Sequence, residues 1–431
     1  MLNSNRILRQ IVIVTAAAGL LASGCSSGVS NNAVPKVTAM RDVPAVRLNY
    51  RYEADVPAPT LNAAVAEDRN PAVQADFDTN RPQEMLERTL TSPDKKRVLA
   101  IYRQVADLSS EFRLDVYTPE GKPLRKVTSD TMAVHFPDTI VWSPDSSAVA
   151  FVAMLRATVS LTPVTATPSP ITPATDTGAA ETNTNVEAVP TPAAPTPAAP
   201  TGILTFRTEQ IYMCNADGGA LKALTQNEGL IYFYYVWSPD SSMLAALATT
   251  AREWRYLEVI AESKGEAMVP LGRPRVIEKN GRERRLDDNL TAVQPVWSPD
   301  SAKIADAFET QIRIYDANGT TPTQAAIPLK NQLLLSAQSY DREQSRIAAN
   351  STADGNTSTA PTPEQPMTTL PDEKLLVSYN PIVEVAWTAD ELLYAKTAYL
   401  KRMKNAADNV TSYSRWHRLV LSPQAAAAPG K

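Results

Sequence analysis

The sequence predicts an all-β fold, a six-bladed β-propeller with four-stranded blades, and three observations support this prediction. A short phrase, clearest as Val-Trp-Ser-Pro-Asp, occurs three times in full and three times in weaker form along the 431 residues. Most copies precede a very apolar stretch and then lead into an alternating stretch that ends at a turn. The copies recur at a period of about 50 residues once insertions are set aside, and such a period indicates one supersecondary unit used repeatedly.

The repeated phrase has the composition of a tight turn behind a strand. Ser suits the first position of a type I turn, Pro presets φ at the second, and Asp bonds to nearby backbone at the third. The Trp offers a large apolar body with one donor, which suits the seam between neighbouring sheets. We interpret these positions as structural, although a ring of metal-binding or catalytic aspartates is an alternative. The full copies contribute Trp142, Pro144, Asp145, Trp237, Pro239, Asp240, Trp297, Pro299 and Asp300.

The weaker copies lie at residues 91–94, 338–341 and 387–390. From the first Ser or Thr of each copy, the successive intervals are 51, 95, 60, 41 and 49 residues. The interval of 95 contains residues 157–202, with nine prolines and neither aromatic nor basic residues, so we predict a disordered Pro/Thr/Ala insertion. A second polar insertion is predicted at 351–372, and it leaves the fifth blade unusually short. The interval of 60 includes a hairpin around Asn280-Gly281, whose flanking arginines are either a solvated surface or an anion site.

Alternating apolar residues identify the strands of each blade. Blade one contains 97–102 and 112–117, blade two 148–155 and 210–215, and blade four 303–308 and 311–315. The last repeat supplies only 382–387, 391–396 and 415–421. The early alternating strand at 46–52 is expected to supply the fourth strand and so close the ring, because propellers use four-stranded blades. The propeller is thus predicted to span 45–421, with a loose tail at 422–431.

The N-terminus reads as an export signal. Arg6 and Arg9 precede an uncharged apolar run at 11–21 that is too short and wrongly flanked for a spanning helix. Gly24-Cys25 resembles the end of a bacterial lipobox, which implies cleavage after residue 24 and acylation of Cys25; a plain secretory peptide is the alternative. Residues 25–44 are expected to form a flexible tether. The predicted location is therefore the cell envelope, lipid-anchored on the extracytoplasmic side of a bacterial membrane.

The repeats resemble those of TolB-like, or more generally WD40-like, propellers. The resemblance rests on Trp-Ser-Pro-Asp-Ser-Ser followed by an apolar strand, on 211–219 with Leu224-Thr225, and on 312–319. It covers about residues 85–421 and weakens at Thr91 and Gln338, which replace Trp. The resemblance implies a six-bladed platform for protein interactions in the cell envelope. Related repeats also precede hydrolase domains in prolyl-oligopeptidase-type peptidases.

No residue pattern in the sequence indicates a particular catalytic or ligand-binding chemistry. His135 and His417 are the two histidines, and neither paired-Cys nor HExxH spacing is present. There is no nucleophile elbow, phosphate-binding loop or dinucleotide fingerprint. Cys214 lies in a strand-like run and is expected to be a small buried hydrophobe. The formal net charge is −4, so the chain lacks the excess of basic residues that is typical of a nucleic-acid-binding protein.

Two functional hypotheses follow. The first is a non-catalytic protein-interaction scaffold that is held at the membrane by its lipid and binds an envelope protein or peptide. The second is an extracytoplasmic enzyme, or a small-ligand or metal-binding sensor, that uses carboxylates lining the channel. No cofactor is indicated by the sequence, and calcium is left open. Several converging carboxylates with a metal would favour the second hypothesis, whereas an exposed apolar surface favours the first.

Overall fold

The computed structural model describes the chain in several stretches, and from Ala39 onward they belong to one compact unit. The architecture is mostly β, with several four-stranded antiparallel sheets. The predicted signal peptide, Cys25 and the insertion at 157–202 lie outside the described residues, as do 352–372 of the second insertion and 424–431 of the tail. The described residues are 39–61, 69–105, 110–155, 209–351, 376–378, 380–398, 402–403 and 414–423.

Strand β1 (Leu48–Val56) opens the series of strands, and five sheets of four or five strands follow from the pairings. Sheet I consists of β2 (Glu84–Thr91), β3 (Val98–Gln104), β4 (Arg113–Tyr117) and β5 (Pro123–Lys126). Sheet II consists of β6 (Met132–His135), β7 (Val141–Trp142), β8 (Ala148–Leu155), β9 (Gln210–Asn215) and β10 (Lys222–Ala223). Sheet III consists of β11 (Leu230–Trp237), β12 (Met243–Thr250), β13 (Arg273–Glu278) and β14 (Glu283–Arg285).

The other two large sheets use the last part of the chain. Sheet IV consists of β15 (Val296–Trp297), β16 (Lys303–Phe308), β17 (Gln311–Asp316) and β18 (Gln324–Pro328). A two-stranded pair joins β19 (Leu376–Ser378) to β22 (Arg402–Met403). Sheet V consists of β20 (Ile382–Ala389), β21 (Leu392–Ala398), β23 (Ser414–Pro423) and β1.

Strands predicted from alternation are present with nearly the predicted bounds. Predicted strands 148–155, 210–215 and 303–308 coincide with β8, β9 and β16. The Asn280-Gly281 hairpin joins β13 to β14, with Gly281 at φ +92°, a conformation that glycine adopts at low cost. The expected pairing of the early strand is also present, since β1 lies antiparallel to β23 with Tyr50 opposite Leu421.

The repeat predicted at 338–341 is wrong. These residues lie inside helix α3 (Lys330–Ser351), so no turn forms there. Sheet IV instead packs directly on sheet V, where the Ile382 N–H donates to the Glu309 carbonyl at 2.6 Å and one apolar cluster spans both sheets. In the described ranges five sheets have at least four strands, and the six-blade count is not confirmed.

Two further helices were not predicted. Helix α1 (Pro71–Asn80) covers one face of sheet I, where Val73 and Phe77 are buried against it. Helix α2 (Ala251–Lys264) continues directly from β12. The folded part also begins earlier than predicted, because Met40 and Val43 are buried in the cluster shared by sheets IV and V. Residues 39–44 are therefore part of the fold and not of the tether.

Candidate interaction surface

The three tryptophans of the full repeats join consecutive sheets. Each indole is at least nine-tenths buried and donates its Nε1–H to a carbonyl of the preceding sheet, on the strand that leads into that sheet's own repeat turn. The bonds run from Trp142 to Leu90 O (3.0 Å), from Trp237 to Val141 O (3.4 Å) and from Trp297 to Val236 O (3.1 Å). The weaker copy differs, since half-buried Trp387 donates within its own turn to Asp390 O at 3.3 Å.

A serine in each full repeat adds a second link across the same seams. Ser146, Ser241 and Ser301 stand at φ of 60–61°, and each hydroxyl accepts a backbone N–H from the preceding sheet. The donors are Asp94 (2.9 Å), Asp145 (3.0 Å) and Asp240 (3.0 Å). Equivalent positions of sheets I to IV are thus in register, so the ends carrying these turns lie together. We call this the turn end.

The prolines and aspartates of the repeats lie at the tips of these turns. Pro144, Pro239 and Pro299 are exposed. Partial burial would raise the pKa of Asp145, but hydrogen bonds from the Ser143 hydroxyl and the Ser147 N–H outweigh it and lower this pKa to about 2. Each carboxylate is thus held by its own turn, which is the role that turn chemistry assigns to it.

The opposite end, which we call the insertion rim, carries in each sheet the connection that follows the strand after the repeat turn, namely β3 to β4, β8 to β9, β12 to β13, β16 to β17 and β21 to β23. On the rim lie Val105, Leu155, helix α2, Glu309 and Ala398. Sheet V shares this polarity because Ile382 bonds to Glu309 there. The connection from β8 to β9, which contains the predicted insertion, also leaves from the rim. Long connections are therefore concentrated at one end.

Helix α2 lies on the insertion rim, in the connection between β12 and β13. Thr250 and Glu253 form a capping box, and Gly265 ends the helix at φ +66°. Hydrogen bonds from Arg273, at 2.8 and 2.9 Å, outweigh partial burial and help lower the pKa of Glu253 to about 2. Trp254 packs against Phe233 and Phe136. The helix is thus fixed on sheet III.

Large apolar side chains are exposed at the insertion rim. Tyr256 and Val259, one turn apart on α2, are 66% and 47% exposed. Single exposed apolar residues are ordinary, but a concentration at one end is the usual mark of a contact surface. The strongly exposed large apolar side chains at this end include Met85, Val105, Leu155, Tyr256, Val259, Val269 and Val383.

The most unusual carboxylates lie in the seam between sheets III and IV. Asp306 is fully buried, and burial raises its pKa well above the usual value. Burial also acts to raise the pKa of Asp287, but bonds from Arg313 (2.5 Å) and the Tyr315 hydroxyl (2.6 Å) lower it overall. An open cavity of about 340 Å³ reaches Asp287 and Arg313, whereas Asp306 is not among its lining residues. Asp306 therefore has no access to a substrate through this cavity.

A smaller cavity of about 250 Å³ lies between the first strands of sheets III, IV and V. Tyr234, Gln294 and Val385 are among its lining residues, and Glu384 is the one carboxylate among those described. Glu384 forms an ion pair with Lys396 at 3.0 Å. Several carboxylates converging on the centre, as the enzyme hypothesis requires, are not found in this part of the structure.

The other chemically interesting side chains are built into the fold. His417 is 1% exposed, bonds Tyr52 and Thr397 at 2.8 and 3.0 Å, and has a pKa that burial and the Arg415 charge lower to about 3. His135 pairs with Glu209 at 3.2 Å, and both are buried. Cys214 is buried, as predicted, and burial raises the pKa of its thiol to about 12.

No group of three or more His, Cys, Asp or Glu side chains among the described residues is arranged to hold a metal ion. None of the described helices combines the length and apolarity needed to cross a bilayer.

No protein-family model matches the chain, and no curated protein matches it. Solved structures that resemble it include an oligogalacturonate lyase in complex with manganese (14% identity, TM-score 0.28, 57% of this chain and 48% of that one). Others are a putative TolB from Agrobacterium tumefaciens (13%, 0.26, 55% and 64%) and prolyl oligopeptidase B from Galerina marginata (11%, 0.36, 78% and 36%). The chain spans less than two thirds of the length of each of these proteins.

Proposed function

We propose that this protein is a non-catalytic protein-interaction scaffold that docks an envelope protein or peptide on its insertion rim. The observation that carries the proposal is the concentration of exposed apolar side chains at that end, with Tyr256 and Val259 on a helix fixed to sheet III. Tyrosine and apolar groups in such positions are typical of docking surfaces. The turn end, by contrast, is bonded into the seams.

The scaffold is proposed to be a β-propeller whose blades are sheets I to V. The successive seams from I to V are filled by shared apolar clusters, and β1 ties the beginning of the fold to its last strand. Closure by β1 is part of this proposal. A rigid platform of this kind loses little conformational entropy when it binds.

Substitutions on α2 test the docking surface. The double variant Tyr256→Ser, Val259→Ser should recover at least tenfold less of a partner that crosslinks to the wild-type protein in intact envelopes. Leu124→Ser is the matched control, because Leu124 is 41% exposed at the turn end, and it should recover the partner normally. Equal loss in both variants, or no loss in the α2 variant, would contradict docking on the rim.

The membrane anchor is tested separately. The lipobox resemblance at Gly24-Cys25 supports acylation of Cys25, and stable anchoring needs two or more acyl chains. Cys25→Ser should therefore move the protein from the membrane fraction to the soluble fraction and abolish incorporation of labelled palmitate. A variant that remains in the membrane and still takes up label would refute the anchor without affecting the docking proposal.

A further inference from the structure

A cavity of about 680 Å³ opens at the turn end of sheet I, away from the insertion rim. Its walls are mainly apolar and include Val98, Pro119 and Trp142. Its volume suits one large side chain with part of its backbone.

The first repeat departs from the others at two positions, and both line this cavity. Thr91 stands where the full repeats carry Trp, and Lys95 stands where they carry Ser. Lys95 has the same left-handed backbone, with φ at 61°. The departures therefore remove an indole from the cavity wall and add an ammonium group to it.

The charge around the cavity favours an anion. The Lys95 ammonium has no hydrogen bond or ion pair within the described residues. Asn70 at the N-terminus of α1 also lines the cavity and brings the positive end of the helix dipole near. The neighbouring Asp94 carboxylate is turned into its own turn, where it accepts from the Ser92 hydroxyl at 2.7 Å and the Lys96 N–H at 3.1 Å. A solvated lysine would account for Lys95 alone but not for the apolar space beside it.

We propose that this cavity binds the C-terminal carboxylate of a peptide chain whose last residue is large and apolar. The last side chain fills the space next to Thr91 and Val98, and the carboxylate pairs with Lys95. A charge-assisted hydrogen bond of this kind favours a free acid over an amide. This site is independent of the insertion rim.

Peptide binding to the purified full chain tests the proposal. Fluorescein-labelled hexapeptides ending in phenylalanine with a free acid should bind at least tenfold more tightly than the same peptide as an amide, or than one ending in serine. Lys95→Met should weaken the free acid at least tenfold and remove the preference over the amide. Lys96→Met is the matched control and should change neither, since Lys96 does not line the cavity.

A second variant keeps the test decisive. Thr91→Trp restores the residue of the full repeats and fills the cavity, so it should abolish binding while leaving the circular dichroism spectrum and the melting temperature of the protein intact. The proposal is overturned if acid and amide bind equally, if no peptide binds at 1 mM, or if dodecanoate binds and the peptides do not. The last result would assign the cavity to fatty acids.

Discussion

Replacing Trp237 with alanine is expected to lower the free energy of unfolding by about 4 kcal/mol, because truncating a buried tryptophan removes apolar contacts and leaves a cavity. Trp237 is 4% exposed within the cluster shared by sheets II and III. The substitution also deletes the donor to Val141 O. Equilibrium unfolding in urea, followed by far-ultraviolet circular dichroism, measures the change.

Trp387→Ala is the matched control for this prediction. Trp387 holds the same position in a weaker copy of the repeat, but it is only half-buried and its indole bonds to Asp390 within its own turn. Its loss is expected to cost about 2 kcal/mol, less than at Trp237, since the indole packs on the cluster of sheets IV and V but is only partly buried and donates to no other sheet. Equal losses at the two positions would mean that the indole contributes no more across a seam than within its own turn.

The difference between these tryptophans shows what the sequence predicts well. Turn residues and alternation act locally, so the strand bounds around Ala148–Leu155 and Lys303–Phe308 follow from a few neighbouring residues. Whether an indole reaches the preceding sheet depends on a carbonyl 52 to 96 residues away. Nothing in the local phrase encodes that distance.

None of the helices was predicted from the sequence, and the reason is physical. In α3 the buried Leu333, Leu334 and Ala337 follow the 3.6-residue period, whereas the weak resemblance of residues 338–341 to the repeat phrase predicts a turn. In α2 the signal was stronger, since Thr250 and Glu253 form a capping box and Gly265 ends the helix. These local signals predict the position of the helix, although not which of its faces is exposed.

The candidate surfaces were beyond sequence reasoning in a different way. Exposure of Tyr256 becomes informative only when the register of the sheets assigns it to one end with Leu155 and Val105. Thr91 is a departure from the repeat that the sequence shows, but only the structure shows that it lines one cavity together with Lys95. Likewise, Asp287 and Asp306 come from two sheets and meet through packing.

The buried carboxylates in the seam between sheets III and IV give the second large prediction. Stability should depend on pH with opposite signs at Asp306 and Asp287. Asp306 has a raised pKa when folded, so its carboxyl is protonated in both states below about pH 4. As the pH rises further, the unfolded chain releases this proton while the folded chain retains it, and stability falls. Relative to the wild type, the free energy of unfolding of Asp306→Asn should therefore rise by on the order of 1 kcal/mol or more between pH 4 and pH 8.

Asp287 has a lowered pKa, so its sign is reversed. Its carboxylate stabilises the fold above about pH 4, through Arg313 and Tyr315, and this contribution is lost as the pH falls through the folded pKa. Asp287→Asn should cost about 3 kcal/mol at pH 7, as expected when one partner of a buried ion pair is removed, and less in acid. Urea titrations from pH 3 to pH 8 measure both variants. Parallel profiles would contradict opposite pKa shifts at the two carboxyls. Diverging profiles would show that the two aspartates titrate in opposite directions, because Arg313 donates a hydrogen bond to Asp287 whereas Asp306 is buried and accepts only the Ala307 N–H within the described residues.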